Sequence, residues 1–388
     1  PPPAKTQTEV DSSSSPAAET AAKPSDNARV TRIPPGTYDL QPYLDEAKEG
    51  DILLLEAGTH TLTKPAMLKT NGVSLMGEGL GNTVIKASFG GNDNAILTIK
   101  GQTPGEVSKR EFKGTLASNP TAGSTIIHAS EGMKIKAGDT ISLRQNNDEA
   151  FLDSIGSRKW NKTSPQLRQT MARVLWVDGD RIKLDRTLGV DFGHGAELRV
   201  IDAVKDVTIK DMSIVYDIGG TPDPALYKNA NTKHAVNGIS VIGAVNPAIE
   251  NVSVKNAGKN PLNLDTVLAP KVKNITLDGS WNKGEDGNGY FQIARTYGGL
   301  FEDVTVKNLR HITFQWSSHD NLIRRLKSDT DVNFHGGYAH HNLVEDADID
   351  IRKGHKWKNV TRTANDAHWA PPDGKGNVVL DENGKRLG

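Results

Sequence analysis

Apolar and polar residues alternate in short runs through the second half of the chain. Ile239-Ser-Val-Ile242, Leu262-Asn-Leu-Asp265, Phe291-Gln-Ile-Ala294, Ile312-Thr-Phe-Gln315, Val332-Asn-Phe-His335 and Ile349-Asp-Ile-Arg352 begin 23, 29, 21, 20 and 17 residues apart. Such alternation marks a strand with one face in a core. A second series runs beside it, an Asp or Asn followed by an aliphatic residue. Its members are Asp206-Val207, Asn251-Val252, Asn274-Ile275, Asp303-Val304, Asn321-Leu322, Asn342-Leu343 and Asn359-Val360. The intervals are 45, 23, 29, 18, 21 and 17. With the 45 counted as two turns, the mean period is about 22 residues, the length of one solenoid coil.

Asn and Asp tolerate the left-handed backbone that a sharp bend needs. Stacked copies can also hydrogen-bond amide to amide. We therefore assign Asn251, Asn274, Asn321, Asn342 and Asn359 to structure. Parallel strands joined by crossovers wind right-handed, so the pattern predicts an all-β protein, a right-handed parallel β-helix. Upstream, Leu40, Tyr43, Leu44 and Ala47 recur at helical spacing before Gly50, which predicts an N-terminal capping helix. Residues 101–200 break the repeat. Strands are expected at 137–143 and 180–186, with a polar stretch, 146–173, between them. This is read as a β-rich insertion with a long loop able to wall a cleft, in which Arg158 and Trp160 could stack on a sugar. Residues 1–29 hold almost nothing apolar and read as a disordered linker. Residues 30–370 form the β-helix, and 371–388 are expected to be a C-terminal tail.

Composition narrows the function. Lys+Arg and Asp+Glu are both 47, giving zero net charge, which argues against a nucleic-acid binder. There is no Cys, so disulfides and thiolate metal sites are excluded. No apolar run is long enough to span a bilayer. The linker resembles a tether on an exported protein, and a secreted, periplasmic or cell-surface location is inferred from it.

If the first and third residues of each alternating run enter the core, the second and fourth form two outward columns. One is Ser240, Asn263, Gln292, Thr313, Asn333 and Asp350. The other is Ile242, Asp265, Ala294, Gln315, His335 and Arg352. A strip of amides with few Lys or Glu suits a hydroxyl-rich polymer better than plain solvation. Arg295, Arg310 and His311 lie at its side. His319, His340 and His341 precede ladder Asn residues and read as turn packing. No His pair has zinc-type spacing with a third ligand in register, so no metal is expected. Asp286-Gly-Asn288 could hold calcium through oxygens but lacks the other ligands of a calcium loop, and it reads as a Gly turn. No cofactor is expected.

The opening over residues 38–58, the strands within 71–85 and the Asx coils together resemble the pectate-lyase-like β-helix superfamily. The stretch holding Ser317-Ser-His-Asp-Asn321, Asn333-Phe-His-Gly-Gly337 and Asn342-Leu-Val-Glu345 resembles the catalytic coils of its alginate and chondroitin lyase group. The resemblance implies a polysaccharide partner. Where that group uses a Lys and an Arg as base and acid, this chain has Gln315-Trp316 and Phe334-His335, so those roles are not carried over.

Reaction types make different demands. Glycoside hydrolysis needs two carboxyl groups about 5–9.5 Å apart. Asp265 and Asp350, four coils apart, would be about 19 Å apart. β-Elimination on a uronate needs a base, an acid for the leaving oxygen and a partner for the carboxylate. The expected catalytic group is His335, Arg352, Arg310 and His311. Gln292, Arg295, Gln315, Asn333, Asn263 and Asp350 are expected to bind substrate. These residues favour a lyase or epimerase on an anionic, uronate-containing glycan. A glycoside hydrolase, or a non-catalytic glycan-binding or adhesive β-helix, is the alternative.

Overall fold

The computed structural model describes residues 28–388 apart from 158–159, 161–164, 228–230, 285–287 and 366, and the side chain of Asp93. The expected linker therefore lies outside the described residues except for Ala28 and Arg29. Arg29 is ion-paired to Asp51 at 2.9 Å and belongs to the folded part.

The alternating runs form coils stacked in parallel. One sheet passes in order through Val30–Ile33, Ile52–Leu55, Ser74–Met76, Thr208–Tyr216, Ala248–Ala257, Lys271–Ser280, Leu300–Lys307, Leu322–Ser328, Leu343–Ile349 and Val378–Asp381. The other passes through Ala66–Leu68, Gly91–Lys100, His234–Val245, Leu262–Leu268, Tyr290–Tyr297, His311–Gln315, Val332–Phe334 and Val360–Arg362. Every pairing in both is parallel. The protein is a right-handed parallel β-helix. Near its start the helix Gln41–Glu46 forms as its spacing predicted, burying Leu44.

The inward residues make one continuous core. Ile239, Leu264, Ile293, Phe314 and Phe334 are all fully buried. Phe314 and Phe334 stack with centroids 5.5 Å apart. Ile351, expected beyond them, is only half-buried and in no strand. The guanidinium of Arg362 covers Phe334 instead, 4.8 Å from its centroid.

The insertion is a six-stranded antiparallel sheet running from Lys113–Thr115 to Glu197–Ile201. Thr208 pairs directly with Ser74, so the insertion leaves the stack of coils unbroken. Met171 and Ile201 from it share a buried cluster with Val245, Leu268 and Tyr297 of the solenoid.

Three sequence expectations need correction. The Asx series is not one column. Asn251 and Asn274 lie at a mid-strand bend, joined to each other and to Asp211 at 2.8 Å. Asn321 and Asn342 stand before their strands, in a buried ladder that ends on Asn377. Asp206 belongs to a third position with Asn246, and Asn359 precedes a strand of the other sheet. Next, residues 349–352 are not on the outward strip. Ile349 closes a strand of the opposite sheet, and Val360–Arg362 takes the sixth place. Finally, residues 371–388 are not a tail, because Val378–Asp381 adds the last strand of the first sheet.

Phe334→Ala should cost about 3–5 kcal/mol by leaving a cavity between Phe314 and Arg362. A urea melt tests this. A loss near zero would mean that the ring is not part of the core.

Candidate active site

Strand pairing aligns Ser240, Asn263, Gln292, Thr313, Asn333 and Thr361 in one outward column. Ile242, Asp265, Ala294 and Gln315 form the next. His335 follows Phe334, and its backbone N–H donates to the Phe314 carbonyl at 2.9 Å. A third column lies two residues upstream. Tyr290 pairs with His311, and Asp331 sits beside His311 in the following coil. The sequence reading put His311 only at the edge of the strip and missed Tyr290 and Asp331. Continuing the alternation two residues toward the N-terminus would have found both.

Side chains from these columns meet around His335. Its Nε2 lies 3.4 Å from the Tyr290 hydroxyl, and its ring centroid is 6.2 Å from that of His311. His311 Nδ1 is 2.8 Å from Asp331 Oδ1, and His355 Nε2 reaches the same oxygen at 2.8 Å. The Thr361 hydroxyl donates to the other carboxylate oxygen. Burial works to raise the Asp331 carboxyl, but His311, His355 and Thr361 together hold it down at about 2. Burial pushes His311 below its ordinary value, against the pull of Asp331. Asp331 is thus the anion, and His311 is a neutral imidazole donating through Nδ1. Further out, Tyr227 donates to His355 Nδ1 at 2.8 Å. Trp357 packs on His311 at 4.3 Å between centroids.

His335 itself is pushed down to about 4, first by burial and then by His311 and Arg310. At neutral pH it is uncharged. Its Nε2, facing the Tyr290 hydroxyl, acts as acceptor.

The Arg residues behave differently from one another. Arg295 holds Asp265 with two hydrogen bonds, one of them 2.6 Å, so it cannot also clamp a substrate carboxylate. Arg352 is a positioning residue. It bonds Asp329 and Thr330 at 2.9 and 2.8 Å, and also Leu309 O and the Tyr227 hydroxyl. Arg310 donates to Lys283 O at 2.8 Å and lies over Trp357. Its buried Nε has no acceptor among the described residues. Asp350 is exposed and away from the strip. Asn263 and Gln292 are half-buried at their expected places, and Gln315 and Asn333 are buried although they point outward. Of the proposed cation turn, Asp286 and Gly287 lie outside the described residues.

Those outward residues are buried because neighbouring loops stand over them. On one side are Tyr227, Lys283 and Trp357, with Lys283 held by the Asp223 carbonyl at 2.6 Å. On the other, Phe151, Leu152 and Leu167 of the insertion pack with Trp160, Trp316 and Tyr338. His319 and His340 stack in parallel at 4.7 Å, and His319 bonds Thr170 of the insertion at 3.1 Å. They serve packing, as their turn positions suggested. Arg158 lies outside the described residues.

Fold and site together define a right-handed parallel β-helix with a sheltered polar strip on one sheet. No family model and no curated protein matches the sequence. Among solved structures, the chain is similar to the tailspike protein gp49 of Pseudomonas phage LKA1, with TM-score 0.52 and 18% identity over 79% of this chain and 48% of that one. It is also similar to the tailspike gp61 of Pseudomonas phage phi297, with TM-score 0.54 and 11% identity over 88% and 51%. The chain spans about half the length of both. At these identities the likeness shows the shared fold. No helix among the described residues is long and apolar enough to cross a membrane.

The low proton affinity of His335 has a consequence for stability. Above the ordinary His value, near 6.5, neither folded nor unfolded chain protonates it. As pH falls through 6.5 the unfolded chain takes up the proton and the folded one does not, until about pH 4. Between pH 7 and 4 the protein should therefore lose about 3 kcal/mol more than its His335→Asn variant does. Urea melts at the two pH values measure this, and equal losses would mean a hydrated, unshifted His335.

Proposed function

We propose that the chain binds an acidic, uronate-containing polysaccharide along the outward strip and cleaves it by β-elimination. The observation that carries this reading is the pairing of a neutral His335 with Tyr290 on that strip. Among the described residues the carboxylates nearby are engaged: Asp265 by Arg295, Asp329 by Arg352, and Asp331 by three donors. A hydrolase would need two of them available. A proton-abstracting reaction needs none.

In this scheme His335 Nε2 takes the proton from the carbon next to the uronate carboxylate. The electron pair forms the new C=C bond, and the bond to the glycosidic oxygen breaks. That oxygen takes the Tyr290 proton. Transfer from His335 back to Tyr290 across their hydrogen bond restores both groups. A base as weak as His335 requires the developing charge to be held elsewhere. We assign this task to Arg310, whose charge acts on His335 and whose Nε has no acceptor among the described residues, with the amides of Gln315 and Asn333 as neutral donors. Gln292 and Asn263 extend the binding strip over earlier coils. Polymers of this kind are met outside the cell or in the periplasm, where we place the protein.

The test is a panel of soluble uronate polymers followed by unsaturated-product absorbance near 235 nm, a wavelength set by the conjugated product (roughly 230–240 nm), with proton-transfer groups contributing about 10²–10⁴-fold. His335→Ala and Tyr290→Phe should each lower kcat by about 10²–10⁴ with little change in melting at pH 7. Arg310→Gln should lower it by about 10²–10³. The acid limb of kcat/KM should fall near pH 4, well below the ordinary His value. Deuterium uptake at the sugar without chain cleavage would make the protein an epimerase. Full activity in His335→Ala would overturn the site.

A further inference from the structure

Beside His335 the last coil leaves the regular path. Thr363 donates to the Phe334 carbonyl at 3.1 Å, and the Pro371 carbonyl accepts from Gly337 at 2.8 Å. Residues 363–371 therefore cover the span that residues 334–337 cross in the preceding coil. The surplus cannot turn inward, because Phe334 and Phe314 fill the core. Its Ala364, Asn365, His368 and Trp369 are exposed, and it leaves the coil at Thr363, opposite His335. Both ends of the excursion are firmly seated. Gly336 has a positive φ, and a Cβ there would sit 2.1 Å from the Pro371 carbonyl, so the chain packs directly on its backbone. Arg362 pairs with Asp373 at 2.9 Å. Asn365 lies against Gly156 of the insertion, where a Cβ would come within 2.8 Å of its amide nitrogen.

The excursion carries Trp369, whose ring is 55% exposed, the most exposed large apolar side chain in the described structure. Among the described residues its ring contact is the exposed His368, edge-to-face at 5.0 Å. Burying such a ring against protein would be favourable, yet a loop anchored at both ends holds it in water. An indole face of this kind is the surface on which the C–H face of a pyranose ring stacks.

We propose that Trp369 is a sugar-stacking subsite next to the reacting bond, which sets where the polymer lies relative to His335. The inference rests on the proposed polysaccharide-cleaving function and goes beyond it by assigning a residue outside the strip and a mode of contact, ring stacking rather than charge. Trp369 is a binding residue and takes no part in proton transfer.

The experiment uses the full chain and a panel of alginate, polygalacturonate and hyaluronan, with dextran as a neutral control. Binding is followed by Trp fluorescence and by calorimetry in the His335→Ala background, and turnover in the otherwise native chain. Trp369→Ala should weaken binding of the recognised polymer and raise KM by about tenfold or more, about 1.4 kcal/mol. Trp369→Phe should recover part of it, and the urea midpoint should be unchanged. The product length distribution should shift as well. Unchanged KM, affinity and products in Trp369→Ala would overturn the subsite while leaving the cleavage reading intact. Weaker binding in Trp369→Ala without unsaturated products from the native chain would keep the subsite and overturn the cleavage reading. No binding of any polymer by the native chain would overturn both.

Discussion

The structure depends on bends that repeat in register. Asp206, Asn246, Ala269, Gly298, Asp320, His341 and Gly376 occupy one place in successive coils, and all have positive φ. Asp211, Asn251, Asn274, Asp303, Arg325 and Asp346 do the same at the mid-strand bend. The left-handed conformation costs a non-Gly residue about 1–2 kcal/mol. The coil accepts that cost because a bend out of step with its neighbours would break every strand pairing beyond it. Part is returned where side chains can join: Asn274 to Asn251, Asn251 to Asp211, and Arg325 to Asp303 at 2.6 Å. Where Ala269 stands in the column, backbone pairing alone holds the bend.

This explains how much of the fold could be read from residues alone. Asx before an aliphatic residue signals a coil, and its period found the solenoid. The signal cannot say which bend of the coil it marks, because Asn is tolerated at several. Four positions were therefore merged into one. The alternating run at 349–352 misled for a related reason. Both sheets face the same core and show the same period-two pattern, so a run at the end of one resembles a run in the other. The correct sixth strand, Val360–Arg362, is only three residues long, too short for the alternation to stand out.

The outward strip was legible where it lay inside an alternating run and illegible elsewhere. The places of His335, Gln315, Gln292, Asn333 and Asn263 could be read because strand geometry fixes their direction. Tyr290 and Asp331 stand just before the apolar runs that define those strands, and are reached only by continuing the alternation beyond those runs. The pairing of Arg295 could not be read from residues alone for a different reason. Its partner, Asp265, is 30 residues away in sequence and one coil away in space, and charge pairing across coils is not visible before the coils are stacked in register.

A flat strip of stacked strands has no means of drying a catalytic group by itself, since every outward residue faces solvent. Here the shelter comes from segments that depart from the repeat: the insertion carrying Leu167 and Thr170, the loops carrying Tyr227 and Lys283, and the turn carrying His355 and Trp357. They change the chemistry of the strip in two ways. They remove water from His335, lowering its affinity for a proton. They also bring His355 onto Asp331, which fixes that carboxylate as an anion and His311 as a neutral donor. The coils supply position to within a strand spacing, and the irregular segments supply the environment. A change in the loops can therefore alter the surroundings of His335 while every core residue stays in place, and the fold by itself does not identify the chemistry it carries.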